Sequence, residues 1–316
     1  MQTHPLVSVV IPAYNAEELI AETLESVLAQ TYPHVEIVVV DDGSTDRTAT
    51  VVQEFGELVR YQYQANSGGC AVPRNTGIKL CTGKYLCFLD ADDLMTPNRL
   101  ADQVAFMERH PRVGLVFCDY INFNAAGRYP TTHFQTCPRL WPQLEEQQEL
   151  VIEQGCALLL EENFGCAGTL LMRATMLEKE PGFEPGLKAC EDFHFYFRLA
   201  RHSPVGIVNS VGLLRRFHDR NMSSSSFIMQ AEGARSCAML LVSEQNPAFR
   251  QQLAATVAGY LTGLAYWYAD HGRFWKALQT DGRALVRDRR WPTIRQVGRN
   301  VVRTLSMAIG LHRPKQ

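Results

Sequence analysis

Three carboxylates stand within four positions of the segment FLDADD, residues 88–93, namely Asp90, Asp92 and Asp93. Carboxylates this close repel one another unless a cation or solvent stabilises them. At the end of a strand, Asp90 and Asp92 could hold Mg²⁺ or Mn²⁺ through oxygen ligands, and the metal could bridge to a diphosphate. The alternative is an acidic turn before the next helix, and Asp93 is expected to face that loop.

Two other polar clusters follow apolar segments, IPAYN at 11–15 and DDGSTD at 41–46. In an open α/β sheet, ligands bind at the carboxyl ends of the strands, so three such clusters at neighbouring strand ends indicate one shared site. The sequence has no G-x-G-x-x-G and no G-x-x-x-x-G-K-[ST] after a strand. A dinucleotide fingerprint and a P-loop are therefore excluded, and bound phosphates would need another positive partner.

The elements that would position these clusters alternate between strands and helices. Four short apolar segments are rich in β-branched or aromatic residues: 7–13, 35–42, 85–92 and 113–120. Such segments are typical of parallel strands buried on both faces. Helical patterns lie between them, as at 16–30, where Asn15 is expected to cap the helix and Leu28 to lie on its buried face. The alternation predicts an α/β fold with a mostly parallel, Rossmann-like sheet flanked by helices.

Further along the chain the pattern changes twice. Residues 124–150 are rich in Pro, Gln and Glu, which predicts a long loop with a helix, and later segments predict further strands and a helix at 191–202. After SSSS (223–226) the sequence becomes helical throughout. We therefore predict a first domain at 1–226 and a helical C-terminal extension at 227–316. The uncharged run 253–269 contains Thr, Gly and Tyr and is interpreted as a buried helix rather than a membrane span.

Bulk composition indicates the cellular compartment, but it does not identify a binding partner. The 316 residues carry 31 Lys and Arg against 33 Asp and Glu, for a formal charge of −2. The nine cysteines are scattered without C-x-x-C spacing, which argues against a disulfide framework or a zinc ribbon. The N-terminal sequence lacks a basic segment followed by an apolar one, so no secretory signal is expected. Together these features predict a cytoplasmic protein.

Four motifs in this order resemble family 2 glycosyltransferases with the GT-A fold: VSVVIPAYN, VVVDDGSTD, NSGGCAVPRNTGI and GKYLCFLDADD. The resemblance covers roughly residues 6–120, with weaker signals to about 223. It implies a metal-dependent enzyme of the hexosyltransferase class that transfers a sugar from a nucleotide diphosphate sugar with inversion, using Mg²⁺ or Mn²⁺. It also implies a set of nucleotide-sugar-binding residues: Pro12, Ala13, Tyr14, Asp41, Asp42, Arg74, Asn75 and Asp90.

The same resemblance implies further roles. Pro12, Ala13 and Tyr14 would line the base pocket and Asp42 would bond the nucleobase, with Asp41 beside it. Arg74 and Asn75 would lie near the donor sugar or diphosphate. The D-x-D motif would supply the metal ligands Asp92 and Asp90, and which of the two binds directly stays open. His218, in RRFHDRNMS, could be a third ligand, although a histidine after a strand is often structural.

An inverting transfer needs a general base that deprotonates the acceptor hydroxyl. The family's base is an Asp or Glu about a hundred residues after D-x-D, which implies Asp192 as the base with Glu191 in support. A helix N-terminus stabilises carboxylates and lowers their pKa, so burial or a like-charged neighbour must compensate. The alternative for this pair is an ordinary acidic helix start.

The C-terminal segment 282–316 contains nine Lys and Arg and one Asp. Arg295, Arg299 and Arg303 recur every four positions with apolar residues between them, which predicts a basic amphipathic helix. This helix could make a peripheral contact with the inner face of the membrane, or it could be a solvated helix packed on the catalytic domain. Nucleic-acid binding is not expected, because no basic patch with interleaved aromatics accompanies a recognisable module.

The sequence therefore predicts transfer of a single sugar, UDP-linked, to a saccharide or lipid-linked acceptor in cell-surface polysaccharide or glycolipid assembly. RDRRW at 287–291 lacks the Gln of the Q-x-x-R-W motif of processive synthases, which favours single transfers. Two alternatives stay open. A sugar-phosphate nucleotidyltransferase should carry a glycine-rich loop after its first strand, where this chain has PAYNAEE. A non-catalytic nucleotide-sugar-binding module would have no need of Glu191 and Asp192.

Overall fold

A computed structural model describes residues 4–218 and 221–308. The chain divides after His218 into two compact units, a first unit of residues 1–218 and a second unit of residues 219–316. The division falls eight residues before the predicted domain boundary, and the first helix of the second unit begins at Ser226, within the SSSS segment.

The first unit is built on one sheet. The described residues form the strands β1 (Val7–Ala13), β2 (Val35–Asp42), β3 (Val59–Gln64), β4 (Tyr85–Phe88), β5 (Leu94–Met95), β6 (Leu115–Asn124), β7 (Gly127–Arg128), β8 (Glu149–Ile152), β9 (Leu170–Arg173) and β10 (Val205–Arg216). The strand order is β3-β2-β1-β4-β9-β6-β10-β5, while β7 pairs with β6 and β8 with β10.

The longest ladders of this sheet are parallel. β1 lies between β2 and β4 and is parallel to both, β3 is parallel to β2, and β6 is parallel to β10. Every residue of β1 is buried, which is why its sequence is continuously apolar rather than alternating. The predicted α/β fold with a mostly parallel sheet and a helical extension is confirmed. Since β2, β1 and β4 run side by side, their carboxyl ends meet at one edge.

Helices connect and cover these strands. In the first unit they are α1 (Ile20–Leu28), α2 (Thr48–Gln53), α3 (Ala71–Leu80), α4 (Arg99–Arg109), α5 (Trp141–Leu144), α6 (Gly155–Glu161) and α7 (Glu191–Leu199). α3 lies close against β1 because Gly77 has no side chain, and a Cβ at this position would lie 2.3 Å from the Val10 side chain. This close approach places the preceding turn of α3 near the end of β4.

Several predicted elements differ from the structure at their ends, among them one strand and one helix next to the polar clusters. The strand predicted at 85–92 ends at Phe88, because residues 90–93 turn and the Asp93 amide donates to the Asp90 carbonyl. The helix predicted at 16–30 begins at Ile20, and Leu28 is exposed. Asn15 does not cap it, since its side chain accepts from the Thr45 amide at 2.8 Å.

The second unit is helical and consists of α8 (Ser226–Ser243), α9 (Pro247–Asp270), α10 (Phe274–Arg287) and α11 (Trp291–Ala308). α9 contacts the other three helices and contains the predicted buried segment 253–269. A polar pair is buried between helices, where Asn300 Nδ2 donates to the Thr262 carbonyl at 2.9 Å and to Asp281 Oδ1 at 3.1 Å. Of the helices in the described ranges, none combines the length and apolar character needed to cross a bilayer.

Candidate active site

The loops after β1 and β2 brace each other at the carboxyl edge of the sheet. The Asn15 amide donates to Ser44 Oγ at 3.0 Å, while Asn15 Oδ1 accepts from the Thr45 amide. Gly43 turns the DDGSTD segment with a φ of +80°, and a Cβ there would lie 2.6 Å from the Asn66 amide nitrogen. The polar clusters IPAYN and DDGSTD are thus one connected structure, as the sequence predicted for neighbouring strand ends.

Asp41 and Asp42, at the end of β2, are both buried and hydrogen-bonded. Asp41 accepts from Tyr61 Oη at 2.7 Å and from the Ser44 amide at 2.8 Å. Asp42 accepts from Gln64 Nε2 at 2.6 Å and from the Ser67 amide at 3.0 Å. These donors fix the orientation of both carboxylates. Recognition of a planar heterocycle through hydrogen bonds would require such fixed orientations.

The predicted base-pocket residues are the last two residues of β1 and the residue after it. Pro12 and Ala13 are buried and lie opposite Val40 and Asp41 in the parallel ladder, so Ala13 is the cross-strand neighbour of Asp41. Tyr14 follows with 54% of its surface exposed. The structure therefore brings Pro12, Ala13, Asp41 and Asp42 together, with Tyr14 at the solvent edge, where an aromatic ring is free to stack on a planar ligand.

Arg74 is the buried cation of the site. Its Nη1 donates to Glu191 Oε1 at 2.5 Å, and its Nη2 donates to Asp90 Oδ1 at 2.6 Å. Its guanidinium also lies 5.3 Å from the centre of the Phe183 ring. Burial alone would lower the pKa of Arg74, but the nearby carboxylates outweigh it and raise the pKa well above its ordinary value. One arginine thus joins the end of β4 to the start of α7.

Asn75, next to Arg74 on α3, contacts the main chain of a loop. Its Nδ2 donates to the Phe183 carbonyl at 2.8 Å, and its Oδ1 accepts from the Phe183 amide at 2.8 Å. The amide group therefore substitutes for a strand partner and anchors the loop that precedes α7. Its predicted contact with the donor sugar or diphosphate stays a prediction, while its contact with Phe183 gives it a positioning role.

The three aspartates of the acidic segment after β4 lie in different environments. Asp92 Oδ2 lies 3.0 Å from His218 Nε2, at the end of β10. Burial and the neighbouring Asp90 raise the pKa of Asp92, and His218 opposes that shift. Asp93 was expected to face the loop before the next helix, but it is buried, and its Oδ1 accepts from the Arg216 amide at 2.8 Å. Burial and the two other aspartates raise its pKa well above the ordinary value.

Glu191 and Asp192 open α7, as predicted. The Asp192 carboxylate accepts hydrogen bonds from the Phe193 amide at 2.7 Å and from the Ala167 amide at 3.3 Å. Burial raises the pKa of Glu191 to about 7, with the Asp192 charge adding to the shift and Arg74 opposing it. Burial also raises the pKa of Asp192, against Arg74 and the two amide donors. Burial therefore outweighs the helix N-terminus, as a general base at neutral pH requires.

Two residues of the site were not foreseen from the sequence. Arg216 Nε donates to the Asp92 carbonyl at 2.9 Å, and its guanidinium lies 4.5 Å from the Phe123 ring centre, so it fixes the main chain of the acidic segment. Cys190, just before α7, has a left-handed backbone with φ +57°. The signal for Arg216 was its place two residues before His218. A left-handed cysteine leaves no signal in a sequence.

Comparison with known proteins settles the family. The sequence profile described as glycosyl transferase family 2 matches residues 8–178, just over half of the chain. That stretch contains the braced loops, Arg74 and the acidic segment after β4. The chain belongs to glycosyl transferase family 2. The predicted family resemblance is confirmed, while Glu191, Asp192 and His218 lie beyond the matched range.

Curated relatives agree with this membership, and solved structures share the fold. An uncharacterized glycosyltransferase of Rickettsia typhi, RT0329, is 32% identical over 223 residues, which is 70% of this chain and 67% of that protein. The match spans between 31% and 67% of the length of five rickettsial relatives. TarS residues 1–349 of Staphylococcus aureus, in complex with UDP-GlcNAc, superpose with a TM-score of 0.67 at 19% identity over 96% of this chain and 92% of that one.

A second solved structure with this fold is a mannosyltransferase. The mannosyltransferase PcManGT of Pyrobaculum calidifontis, in complex with GDP-Man and Mn²⁺, superposes with a TM-score of 0.61 at 20% identity. The superposition covers 99% of this chain and 89% of that one. At these identities the two structures show that the fold is shared, and the site of this family 2 member must be read from its own residues.

The donor atoms around Asp92 suit a hard divalent cation. Mg²⁺ is commonly held by one or two protein ligands together with substrate phosphates and water. Asp92 and His218 could provide two ligands, whereas Asp90 faces Arg74. Over residues 4–218 and 221–308, no group of three or more His, Cys, Asp or Glu is arranged as a metal site. Completion of the coordination shell would therefore depend on a diphosphate.

Proposed function

We propose that this chain is an inverting glycosyltransferase that moves a single hexose from a nucleotide diphosphate sugar to an acceptor hydroxyl. The observation that carries the proposal is the Arg74 bridge, which ties Asp90 after β4 to Glu191 at the start of α7. It gathers the donor-side and acceptor-side carboxylates into one partly buried cluster. A catalytic site needs this proximity, whereas a module that only binds a nucleotide sugar has no use for it.

In the proposed reaction Asp192 is the general base. The amides of Phe193 and Ala167 orient its carboxylate, and burial raises its pKa toward the range in which it can accept a proton. The acceptor oxygen, losing its proton to Asp192, attacks the anomeric carbon from the face opposite the leaving group. The bond from that carbon to the diphosphate oxygen breaks, and the configuration inverts. Glu191 supports this step by binding Arg74.

Departure of the diphosphate leaves negative charge that must be stabilised. Asp92 and His218 would hold Mg²⁺ or Mn²⁺, which supplies Lewis-acid stabilisation of a diphosphate when bound. Asp90 and Arg74 complete the donor side as an ion pair in which Arg74 is buried and Asp90 is partly exposed. The mannosyltransferase that shares this fold is described with Mn²⁺, which supports the proposal.

For the donor and acceptor we propose UDP-linked hexose and a saccharide or lipid-linked acceptor in cell-surface polysaccharide or glycolipid assembly. Support comes from TarS, which is named a poly(ribitol-phosphate) β-N-acetylglucosaminyltransferase and is described with UDP-GlcNAc. Because the mannosyltransferase is described with GDP-Man, the nucleobase should be tested directly. The exposed Tyr14 ring and the Asp42 carboxylate are the proposed contacts of the base.

The experiment is a donor panel of UDP- and GDP-linked hexoses, read by release of nucleoside diphosphate with Mn²⁺, with Mg²⁺ and with EDTA. The wild type should release diphosphate from one donor class, and chelation should suppress the release. Asp192→Asn should lower turnover by about a hundredfold or more, as expected for loss of a general base. Glu57→Gln, which changes an exposed carboxylate of the same unit, is the matched control. Full activity of Asp192→Asn would refute the assigned base.

We also propose that the protein works in the cytoplasm with the segment 282–316 in peripheral contact with the inner membrane face. α11 carries the exposed apolar side chains Trp291, Ile294, Val302 and Leu305, and Arg295 and Arg299 are exposed on the same helix. Apolar and cationic side chains together favour an anionic bilayer surface. Residues 309–316 of this segment lie outside the described part of the chain.

A further inference from the structure

The second unit exposes charge of one sign. Residues 221–308 include eleven Lys and Arg and five Asp and Glu. Glu244, Asp281 and Asp288 are buried, while Glu232 and Asp270 have side chains that are 16% and 15% exposed and pair with arginines. The described surface of this unit is therefore cationic with almost no compensating carboxylate.

Two adjoining cavities concentrate part of this charge. A cavity of about 670 Å³ lies between α8, α9 and α10, and a second of about 410 Å³ continues past the end of α10. Both are lined by Val286 and Arg287, so they form one cleft. Along α10 the cleft runs from Gln279 to Arg287, a length of about 12 Å at the helical rise per residue. We call this feature the α8–α10 cleft.

Arginines line this cleft from several elements: Arg235 on α8, Arg250 on α9, Arg283 and Arg287 on α10, and Arg289 and Arg290 beyond it. Arg290 pairs with Asp288, and Arg250 donates to the carbonyls of Leu241 and Glu244. By contrast, within the described ranges the side chains of Arg283, Arg287 and Arg289 make no hydrogen bond or ion pair, and all three are exposed. Three guanidinium groups are thus available to contact an anion.

The floor of the cleft differs from its rim. Ala234, Ala238, Val257 and Leu261 line it with apolar surface. Arg283 and Arg287 stand one helical turn apart, where like charges destabilise a helix by roughly 0.2–0.5 kcal/mol. An anion between them would remove that repulsion, and guanidinium forks match phosphate and carboxylate oxygens. The apolar floor suits the carbon face of a sugar or polyol.

We propose that the α8–α10 cleft binds a linear saccharide or polyol chain that carries a phosphodiester or a carboxylate on each repeat. This inference rests on the proposed function, because it assigns the class of acceptor. A chain rather than a single anion is indicated by the length of the cleft, since one phosphate would contact only one pair of arginines. The anion is bound by Arg283 and Arg287, and Arg289 extends the cationic rim toward the next repeat.

The test uses the full-length protein and fluorescence anisotropy with end-labelled inorganic polyphosphate, end-labelled oligogalacturonate and neutral dextran. Arg283→Gln/Arg287→Gln should weaken binding of the preferred polyanion about tenfold or more, as expected for loss of two charge-assisted contacts. Arg295→Gln/Arg299→Gln is the matched control, because it removes two exposed arginines at the same spacing from α11. Polyphosphate and oligogalacturonate distinguish phosphate from carboxylate, and dextran should not bind.

The outcomes separate clearly. Unchanged affinity in Arg283→Gln/Arg287→Gln, or an equal loss in both double variants, would overturn the cleft as the site. So would binding to phosphatidylglycerol vesicles with no binding to either polyanion. The assay needs no donor and no turnover, so Asp192→Asn should bind the polyanion like the wild type. Arg283→Gln/Arg287→Gln should also keep the donor hydrolysis rate, which separates failure of this inference from failure of the proposed enzyme.

Discussion

At the scale of single residues, Arg74 is the side chain on which the candidate site depends. It is fully desolvated and donates to carboxylates from two elements that are 117 and 16 residues distant along the chain. The attraction offsets the cost of burying a cation only while both partners are present. The sequence motif PRNTG predicted that Arg74 belongs to the site, but it gave no indication that its partners would be Asp90 and Glu191.

Replacing Arg74 should therefore affect both folding and activity. Arg74→Gln leaves the buried Glu191 and the partly exposed Asp90 without their cation, and the free energy of unfolding is expected to fall by about 3–5 kcal/mol. Arg74→Lys keeps one charge but cannot reach both partners in the same fork, so it should recover stability in part and little turnover. Urea denaturation and diphosphate release measure the two effects. Arg60→Gln, at an exposed position, should change neither, and a stable, active Arg74→Gln would contradict the bridge.

The pH dependence of turnover should reveal the coupled carboxylates. A base must be deprotonated to act, so the raised pKa of Asp192 moves the acid limb of the rate profile to higher pH than an ordinary aspartate would give. Glu191→Gln removes one negative charge and leaves more of the Arg74 charge uncompensated. Both changes lower the pKa of Asp192, so the acid limb should move to lower pH. A limb that stays in place would show that Asp192 and Glu191 do not interact.

At the scale of elements, α11 has an unusual distribution of side chains. Its buried face carries Thr293, Asn300 and Thr304 beside the apolar Val297 and Met307. Trp291 and Val302, by contrast, are 70% and 66% exposed. Helices in water normally bury their apolar stripe. The sequence predicted the amphipathic helix but not its orientation, because periodicity alone does not say which face meets the protein.

If the outer face of α11 binds a bilayer, removing its apolar side chains should weaken that binding. Trp291→Ser/Leu305→Ser is expected to reduce flotation of the full-length protein with phosphatidylglycerol vesicles by severalfold, since both side chains would leave the interface. Val242→Ser changes an equally apolar side chain that is 81% exposed on α8, and it should float like the wild type. Equal flotation of all three proteins would exclude this face as the contact.

The polar pair between α10 and α11 gives the second unit a pH-dependent stability. Burial raises the pKa of Asp281 to about 6 from an ordinary 3.8. The folded state then binds the proton more tightly than the unfolded state, so stability is greatest below about pH 4 for this group and declines up to about pH 6. Asp281→Asn should remove that decline and raise the free energy of unfolding at pH 8 by about 1–3 kcal/mol.

Asp288 provides a comparison of opposite sign. Despite burial, hydrogen bonds from Arg290 and Thr293 lower its pKa, so its contribution is present above its ordinary pKa and is lost as the pH falls. Asp288→Asn should accordingly destabilise the unit at pH 8. Tryptophan fluorescence follows both variants, since three of the four tryptophans are in the second unit. Equal shifts in the two variants would contradict the assignment of Asp281 as the unfavourable carboxylate.

An element could be predicted where a local sequence pattern specifies it, and could not be predicted where tertiary contacts specify it. β1 and β2 have the predicted bounds, because strands buried on both faces are continuously apolar in sequence. Residues 124–150 were predicted as a loop with a helix, yet they contain the short elements β7 and α5 and the start of β8. β8 is specified by pairing with β10, more than fifty residues later, and such tertiary contacts leave no local pattern.

At the scale of the whole molecule, the near-zero net charge is the sum of an acidic first unit and a basic second unit. Residues 1–218 carry 17 Lys and Arg against 27 Asp and Glu, while residues 219–316 carry 14 against six. The basic segment 282–316 is evident in the sequence, but the wider division follows from the two units, which meet after His218 in the chain. The carboxylates of the candidate site belong to the acidic unit, and the arginines of the α8–α10 cleft belong to the basic one.

This partition has a consequence for how the protein behaves on charged matrices. At its isoelectric point, near pH 6.5, the chain as a whole is neutral, yet each unit keeps an excess of one sign. At low ionic strength the protein should therefore be retained by both cation-exchange and anion-exchange resins at that pH, and salt should elute it from each. Passage through either resin without retention would show that the excess charges are neutralised within the molecule. A measurement of net charge alone would indicate that the protein does not bind ions at this pH. The acidic unit can nevertheless bind cations, and the basic unit can bind anions.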